Sequence, residues 1–314
     1  MRLLFALLGL LLAGGCSRGT QSPAEPFVAL QFVGEWGEAG DGPGKLSLPL
    51  SITADSEGWI YIADAGSRYI HQFDAQGHLA YAFTNERLER PTGIAVASGQ
   101  IYVSDYSAER LFIFSSAGKL LQEIAGPPER HFLGPVSVAV DGEGFIYALE
   151  FDGHRVQKFD AAGRFVQHWG RDGEAPGEFH YPVDLAIGPD GYLYVADTHN
   201  RRIQKFTREG EFFTAWGKPG TASEQMDDVT GLAFFGGNFL VVADSGNRRL
   251  QIWTLAGQHL HTEDLRAHVG EGMESPADVA ADNQFGLFVL DPPGRRVLRF
   301  RIYGSCCVAN SLGL

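Results

Sequence analysis

Asp184 and Asp278 each stand two residues after a proline (Pro182, Pro276), inside short apolar runs. Two such carboxylates facing one cavity would offer oxygen ligands to a hard cation such as Ca2+, or a counter-charge to a cationic ligand. His154 and His199 sit in polar loop segments, and their imidazoles are ligand-binding candidates. A third set consists of acid–arginine pairs five residues apart: Asp105 and Arg110, Glu150 and Arg155, Asp197 and Arg202, Asp244 and Arg249, Asp291 and Arg296. Recurrence at one spacing points to a structural task. An acid closing one strand and an arginine opening the next can both hydrogen-bond the backbone around the turn between them. No Gly-x-Ser-x-Gly nucleophile elbow, phosphate-cradling loop or spaced Cys/His metal cluster occurs, so no catalytic residue is assigned.

The elements that position these groups are set by a repeat. The strand-closing acid recurs as Asp64, Asp105, Glu150, Asp197, Asp244 and Asp291. An opening proline recurs as Pro49, Pro91, Pro135, Pro182 and Pro276, with Val229 in the fifth unit. Within each unit apolar residues alternate with period two, as in Tyr192 to Ala196 and Arg202 to Phe206, and glycine-containing turns divide the unit into four strands. Four short strands in each unit of 40 to 50 residues predict an all-β, six-bladed β-propeller of antiparallel blades. The last unit lacks a fourth strand after Arg296 to Ile302. Phe27 to Gly37 supplies it, ending in Trp-Gly like Phe165 to Gly170 and Phe212 to Gly217. This N-terminal strand is expected to complete the last blade, because an open ring would leave two unpaired edges. Trp36, Trp169 and Trp216 are expected to pack between neighbouring blades.

Asp197-Thr-His-Asn-Arg-Arg-Ile203 and Asp244-Ser-Gly-Asn-Arg-Arg-Leu250 resemble the Asp-x-x-Asn-His/Arg-Arg-Val core of the NHL repeat. The resemblance covers Phe27 to about Gly304 and is strongest in units four and five. It implies that the loops opening strand one and those joining strands two and three share one face, with strand one lining a central channel. Asp184 and Asp278 would then face the channel mouth, and His154 and His199 would lie in loops of the same face. Peptidyl-hydroxyglycine lyases are similar to these repeats and hold zinc through a histidine just after the proline in three blades. Here that position holds Leu50, Thr92, Val136, Val183, Thr230 and Ala277, none of them a usable zinc ligand.

The chain ends speak of address. Arg2 followed by the apolar run Leu3 to Leu12 reads as a signal peptide over residues 1–15, and Ala13-Gly-Gly-Cys16 resembles a bacterial lipobox. Cys16 is therefore the expected lipidation site, with residues 16–26 as a polar tether, 27–304 as the propeller and 305–314 as a tail. Such a chain belongs in the cell envelope, outer-membrane facing in a Gram-negative host. Cys306 and Cys307 are adjacent, which permits a vicinal disulfide, a partner bond, a metal or no role. A formal charge of −13 and an exported address set nucleic acid aside as a partner. The resulting expectation is a membrane-anchored, non-catalytic module binding a protein, peptide or envelope ligand. A metal-dependent hydrolase or lyase with its site at the channel mouth is the alternative.

Overall fold

Period-two runs become strands, and each group of four hydrogen-bonds into one antiparallel sheet. The computed structural model describes residues 28–304 apart from residue 274. The signal segment, Cys16, the tether, Phe27 and the Cys306–Cys307 tail lie outside the described residues. Six such sheets form a six-bladed propeller. The innermost strands of the six blades are Pro49–Ala54, Pro91–Ala97, Pro135–Val140, Asp184–Ile187, Val229–Phe235 and Asp278–Ala281. Blade four continues outward through Leu193–Asp197, Arg202–Phe206 and Phe212–Trp216.

Burial follows from the way blades stack. Leu193–Asp197 is buried at every residue, because both faces of a second strand meet a neighbouring blade. Phe212–Trp216 lies at the rim, and each of its residues is exposed or half-buried. The core is therefore a set of inter-blade layers. One joins Tyr147, Leu149 and Val156 of blade three to Leu185, Val195 and Phe206 of blade four. The one α-helical turn among the described residues, Arg266–Val269, lies in the connection from blade five to blade six.

The ring closes as the repeat requires. Blade six consists of Asp278–Ala281, Gly286–Asp291 and Arg296–Gly304, with Val28–Trp36 as its outer strand. That outer strand pairs antiparallel to Arg296–Gly304, from Val28 opposite Gly304 to Trp36 opposite Val297.

Acid–arginine pairs fasten the loops between blades. Asp197 accepts the backbone N–H of His180 at 2.8 Å and Nε of Arg202 at 2.7 Å. Arg202 in turn donates to the carbonyls of Glu174, Ala175 and Glu178. Asp244 with Arg249, Glu150 with Arg155 and Asp291 with Arg296 pair in the same way, at 2.7 to 2.8 Å. Asp105 departs from the expectation. It lies opposite Arg110 in register, yet its carboxylate accepts the N–H groups of Glu89, Arg90 and Ala108, and no ion pair to Arg110 forms among the described residues. With three backbone donors turned toward it, the carboxylate is satisfied without the arginine.

Candidate functional site at the channel mouth

The residues just after each proline position converge on one end of the channel. Leu50, Thr92, Val136, Val183, Thr230 and Ala277 line a cavity of about 410 Å³. These six positions are apolar apart from two threonines, whose hydroxyls are already engaged, and Ser245 and Ser275, which also line the cavity, hydrogen-bond each other. Thr92 donates to the carbonyl of Pro135 at 3.0 Å and Thr230 to that of Pro276 at 2.9 Å, each on the following blade. Arg90, Tyr106 and Phe151 stand on the rim. The Arg90 guanidinium lies over the Tyr106 ring, 5.2 Å from its centroid, and the Tyr106 hydroxyl donates to Asp152 at 2.6 Å. That bond to a carboxylate raises the phenol above its usual range. The mouth is thus an apolar cup with aromatic and cationic groups at its lip, a form suited to recognition.

Asp184 and Asp278 lie one residue deeper and border the channel cavity below the cup, together with Ser51 and Ser137. Asp184 accepts the Ser137 hydroxyl and the N–H groups of Leu185 and Leu232, all at 2.8 Å. Asp278 accepts the Ser51 hydroxyl and the N–H groups of Ile52 and Val279 at 2.8 to 2.9 Å. These bonds tie blade three to four, four to five, and six to one. Where no such bond spans a junction, glycine lets the strands approach. A Cβ on Gly231 would stand 2.7 Å from the Asp278 Cα, and one on Gly93 2.5 Å from the Val136 carbonyl oxygen. The two carboxylates therefore act as links in an inner ring, and their oxygens face hydrogen-bond donors.

Burial works against those donors. It drives the Asp184 carboxyl up to about 7, although its edge still borders channel space. Burial, and next the charge of Asp184, pushes Asp278 well above the ordinary carboxylate range. The pair resists carrying two negative charges at once.

His154 and His199 do come together, through residues that reading the repeat did not single out. His154 lies between strands two and three of blade three, and His199 occupies the equivalent turn, Thr198–Asn200, of blade four. His180 and Tyr181, in the connection from blade three to blade four, fill the space between them. Tyr181 packs on Phe151, His154 and His199 at centroid distances of 4.9, 4.6 and 5.0 Å. His180 lies 5.9 Å from His154 and 5.5 Å from His199. Asp172 on the same connection accepts His180 Nδ1 at 2.8 Å, a bond that holds its carboxyl below the usual range. The segment Phe179-His-Tyr-Pro182 was visible as the opening of a repeat, but its contact with the previous blade's loop depends on the angle between blades.

Residues 179–206 match the family model for the NHL repeat. The chain carries an NHL repeat. It is 27% identical over 136 residues to the probable peptidyl-alpha-hydroxyglycine alpha-amidating lyase pgal-1 of Caenorhabditis elegans, covering 38% of this chain and 39% of that protein. It is 26% identical over 176 residues to NHL repeat-containing protein 3 of Homo sapiens, covering 50% and 47%. The chain thus spans less than half the length of these relatives. Among solved structures, a streptogramin B lyase superposes with a TM-score of 0.61 at 16% identity, covering 88% of this chain and 98% of that one. At that identity the likeness concerns the propeller fold alone.

Proposed function

We propose that this NHL propeller is a non-catalytic binding module, held at the cell envelope by a lipid on Cys16, that seats a protein, peptide or envelope ligand in the cup at its channel mouth. One observation carries the reading. The six positions forming the cup hold Leu50, Thr92, Val136, Val183, Thr230 and Ala277, and the only two hydroxyls among them donate to backbone carbonyls. Such a floor offers no general base, no activated nucleophile and no metal ligand. It does offer buried apolar area within a rigid frame, with Arg90 and Tyr106 placed to meet a polar or acidic group of the ligand.

The likeness to a lyase favours the rival reading, metal-dependent hydrolysis or elimination at the same mouth. That chemistry would require groups from the rim loops, since the cup itself supplies none.

The test is photo-crosslinking in the native envelope with a probe placed at Thr230. One ligand should crosslink to the parent protein and be lost when Val136→Arg and Val183→Arg fill the cup, while the melting temperature of the purified variant stays within a few degrees. Equal crosslinking with the cup filled would overturn the reading. Cys16→Ser should release the protein from the membrane fraction, and persistent membrane association would remove the tether from the proposal.

A further inference from the structure

In each blade the fourth residue after the strand-two acid closes the turn in the left-handed region: Arg68, Glu109, His154, Arg201, Arg248 and Arg295, with φ between 49° and 61°. Four of the six are arginines. Arg201 shows one use of the position. Its Nε meets Asp227 at 2.6 Å and so ties the turn of blade four to the connection leading into blade five.

Asp227 and His180 occupy equivalent places. Each follows the buried residue of its connection, Met226 or Phe179, and each donates its backbone N–H to the strand-two acid of the next blade. At the junction of blades three and four, the arginine–aspartate pair is therefore replaced by two imidazoles, His154 and His180. A carboxylate is added as well. Asp172 stands where the matching connections carry Ala39 and Pro219.

The three side chains converge. Asp172 Oδ1 lies 2.8 Å from His180 Nδ1 and 3.7 Å from His154 Nδ1, and one ligand atom of each residue falls within 4.8 Å of the others. His154 Nδ1 accepts the backbone N–H of Tyr181 at 3.1 Å, which marks it as the unprotonated nitrogen. That lone pair is engaged by Tyr181, and the Asp172 oxygen 3.7 Å away is a second acceptor beside it, with His180 as the third corner.

From this geometry we propose that His154, Asp172 and His180 bind a divalent transition metal of the Zn2+ class. The ion clamps blade three to blade four where blade five is held to blade four by an ion pair. Two imidazoles and one carboxylate form a donor set that suits Zn2+ and leaves a coordination position for water. Ligand atoms around a tetrahedral zinc lie about 3.3 Å apart, given bond lengths of about 2.0–2.2 Å. The 3.7 Å gap between His154 and Asp172 must therefore draw in, while the 2.8 Å pair of His180 and Asp172 opens slightly and releases the proton it shares. Asp172 is 64% exposed and can turn to do so, while the ion takes over the lone pair that Tyr181 now engages. The site is formed by residues outside the cup, so metal binding and ligand capture in the cup can each fail without the other.

The test uses the purified chain with Cys306→Ser and Cys307→Ser, which keeps those thiols from competing, after stripping with a chelator. Titration with Co2+ followed by visible absorption, and with Zn2+ by calorimetry, should give one equivalent bound. His180→Ala and His154→Arg should each weaken Zn2+ binding by about 100-fold or more, since even outer partners of metal ligands contribute about 10–100-fold. His154→Arg restores the residue found at this turn in four other blades, so its fold is expected to hold and its melting curve to show that. Failure of the parent to take up either ion, or equal affinity in His154→Arg and His180→Ala, would overturn the proposal.

Discussion

His71 stands where three other blades carry glutamine. Gln204 shows what the position does: its amide donates to Asp197 and to the Glu178 carbonyl, and its oxygen accepts the N–H of Gly177. In blade one, His71 Nδ1 accepts the N–H of Gly44 at 3.3 Å, while the buried Nε2 has no partner among the described residues. Burial, opposed only in part by the charge of Asp64, lowers this imidazole to about 4. The unfolded chain titrates near 6.5, so between the two values it binds more protons than the folded chain. The contribution of neutral His71 to stability is intact above about 6.5 and is lost as pH falls through about 4. His71→Gln should therefore flatten the loss of melting temperature between pH 7 and pH 4. It should also add about 1 kcal/mol at neutral pH by restoring hydrogen bonds. Thermal melts across that range decide the matter, and an unchanged acid slope would contradict it.

At the scale of elements, each Trp-Gly ending serves the blade that follows. Trp169, at the outer strand of blade three, covers Gly210 in the last hairpin of blade four. A Cβ on that glycine would stand 2.5 Å from the indole, and its φ is +80°. Trp36 covers Gly77 as tightly, whereas Trp216 leaves 3.1 Å above Gly257. Gly210→Ala should thus destabilise by about 1–3 kcal/mol in denaturant unfolding, with Gly257→Ala milder. Trp169→Leu in the Gly210→Ala background should recover part of the loss if the clash is its source. Tryptophans between blades were legible from the sequence because the ending recurs. So were the strands and most acid–arginine pairs, which are local and periodic. The cluster of His154, His180 and Asp172 was not, because it joins two blades across an angle that no spacing encodes. The exception at Asp105 was hidden for a similar reason. Its identity fits the repeat, but two of the backbone donors that satisfy it, Glu89 and Arg90, come from the connection between blades, and the third, Ala108, from its own turn.

For the whole molecule, the decisive contact is the pairing of Val28–Trp36 with Arg296–Gly304. It joins segments from opposite ends of the described chain, fastened further by Arg296 Nη1 to Glu35 at 2.9 Å. Val28 also enters the apolar layer shared by blades five and six, with Phe300 and Ile302. Deleting residues 28–36 removes that area and leaves Arg296–Gly304 as an open edge, a template for pairing with another chain. The truncated chain is expected to melt well below the parent and to form dimers or larger species on size-exclusion chromatography. Failure to fold would be uninformative alone, so a rearranged chain supplies the contrast. Moving the segment 28–36 to follow Gly304 through a short flexible linker keeps the same strand against the same partner while changing only chain order. If spatial closure is what stabilises the ring, this rearranged chain should be monomeric and melt close to the parent. A truncated chain that stays monomeric with an unchanged melting temperature would mean that the inner ring of Asp184, Asp278 and their serines holds the propeller shut without its outer seam.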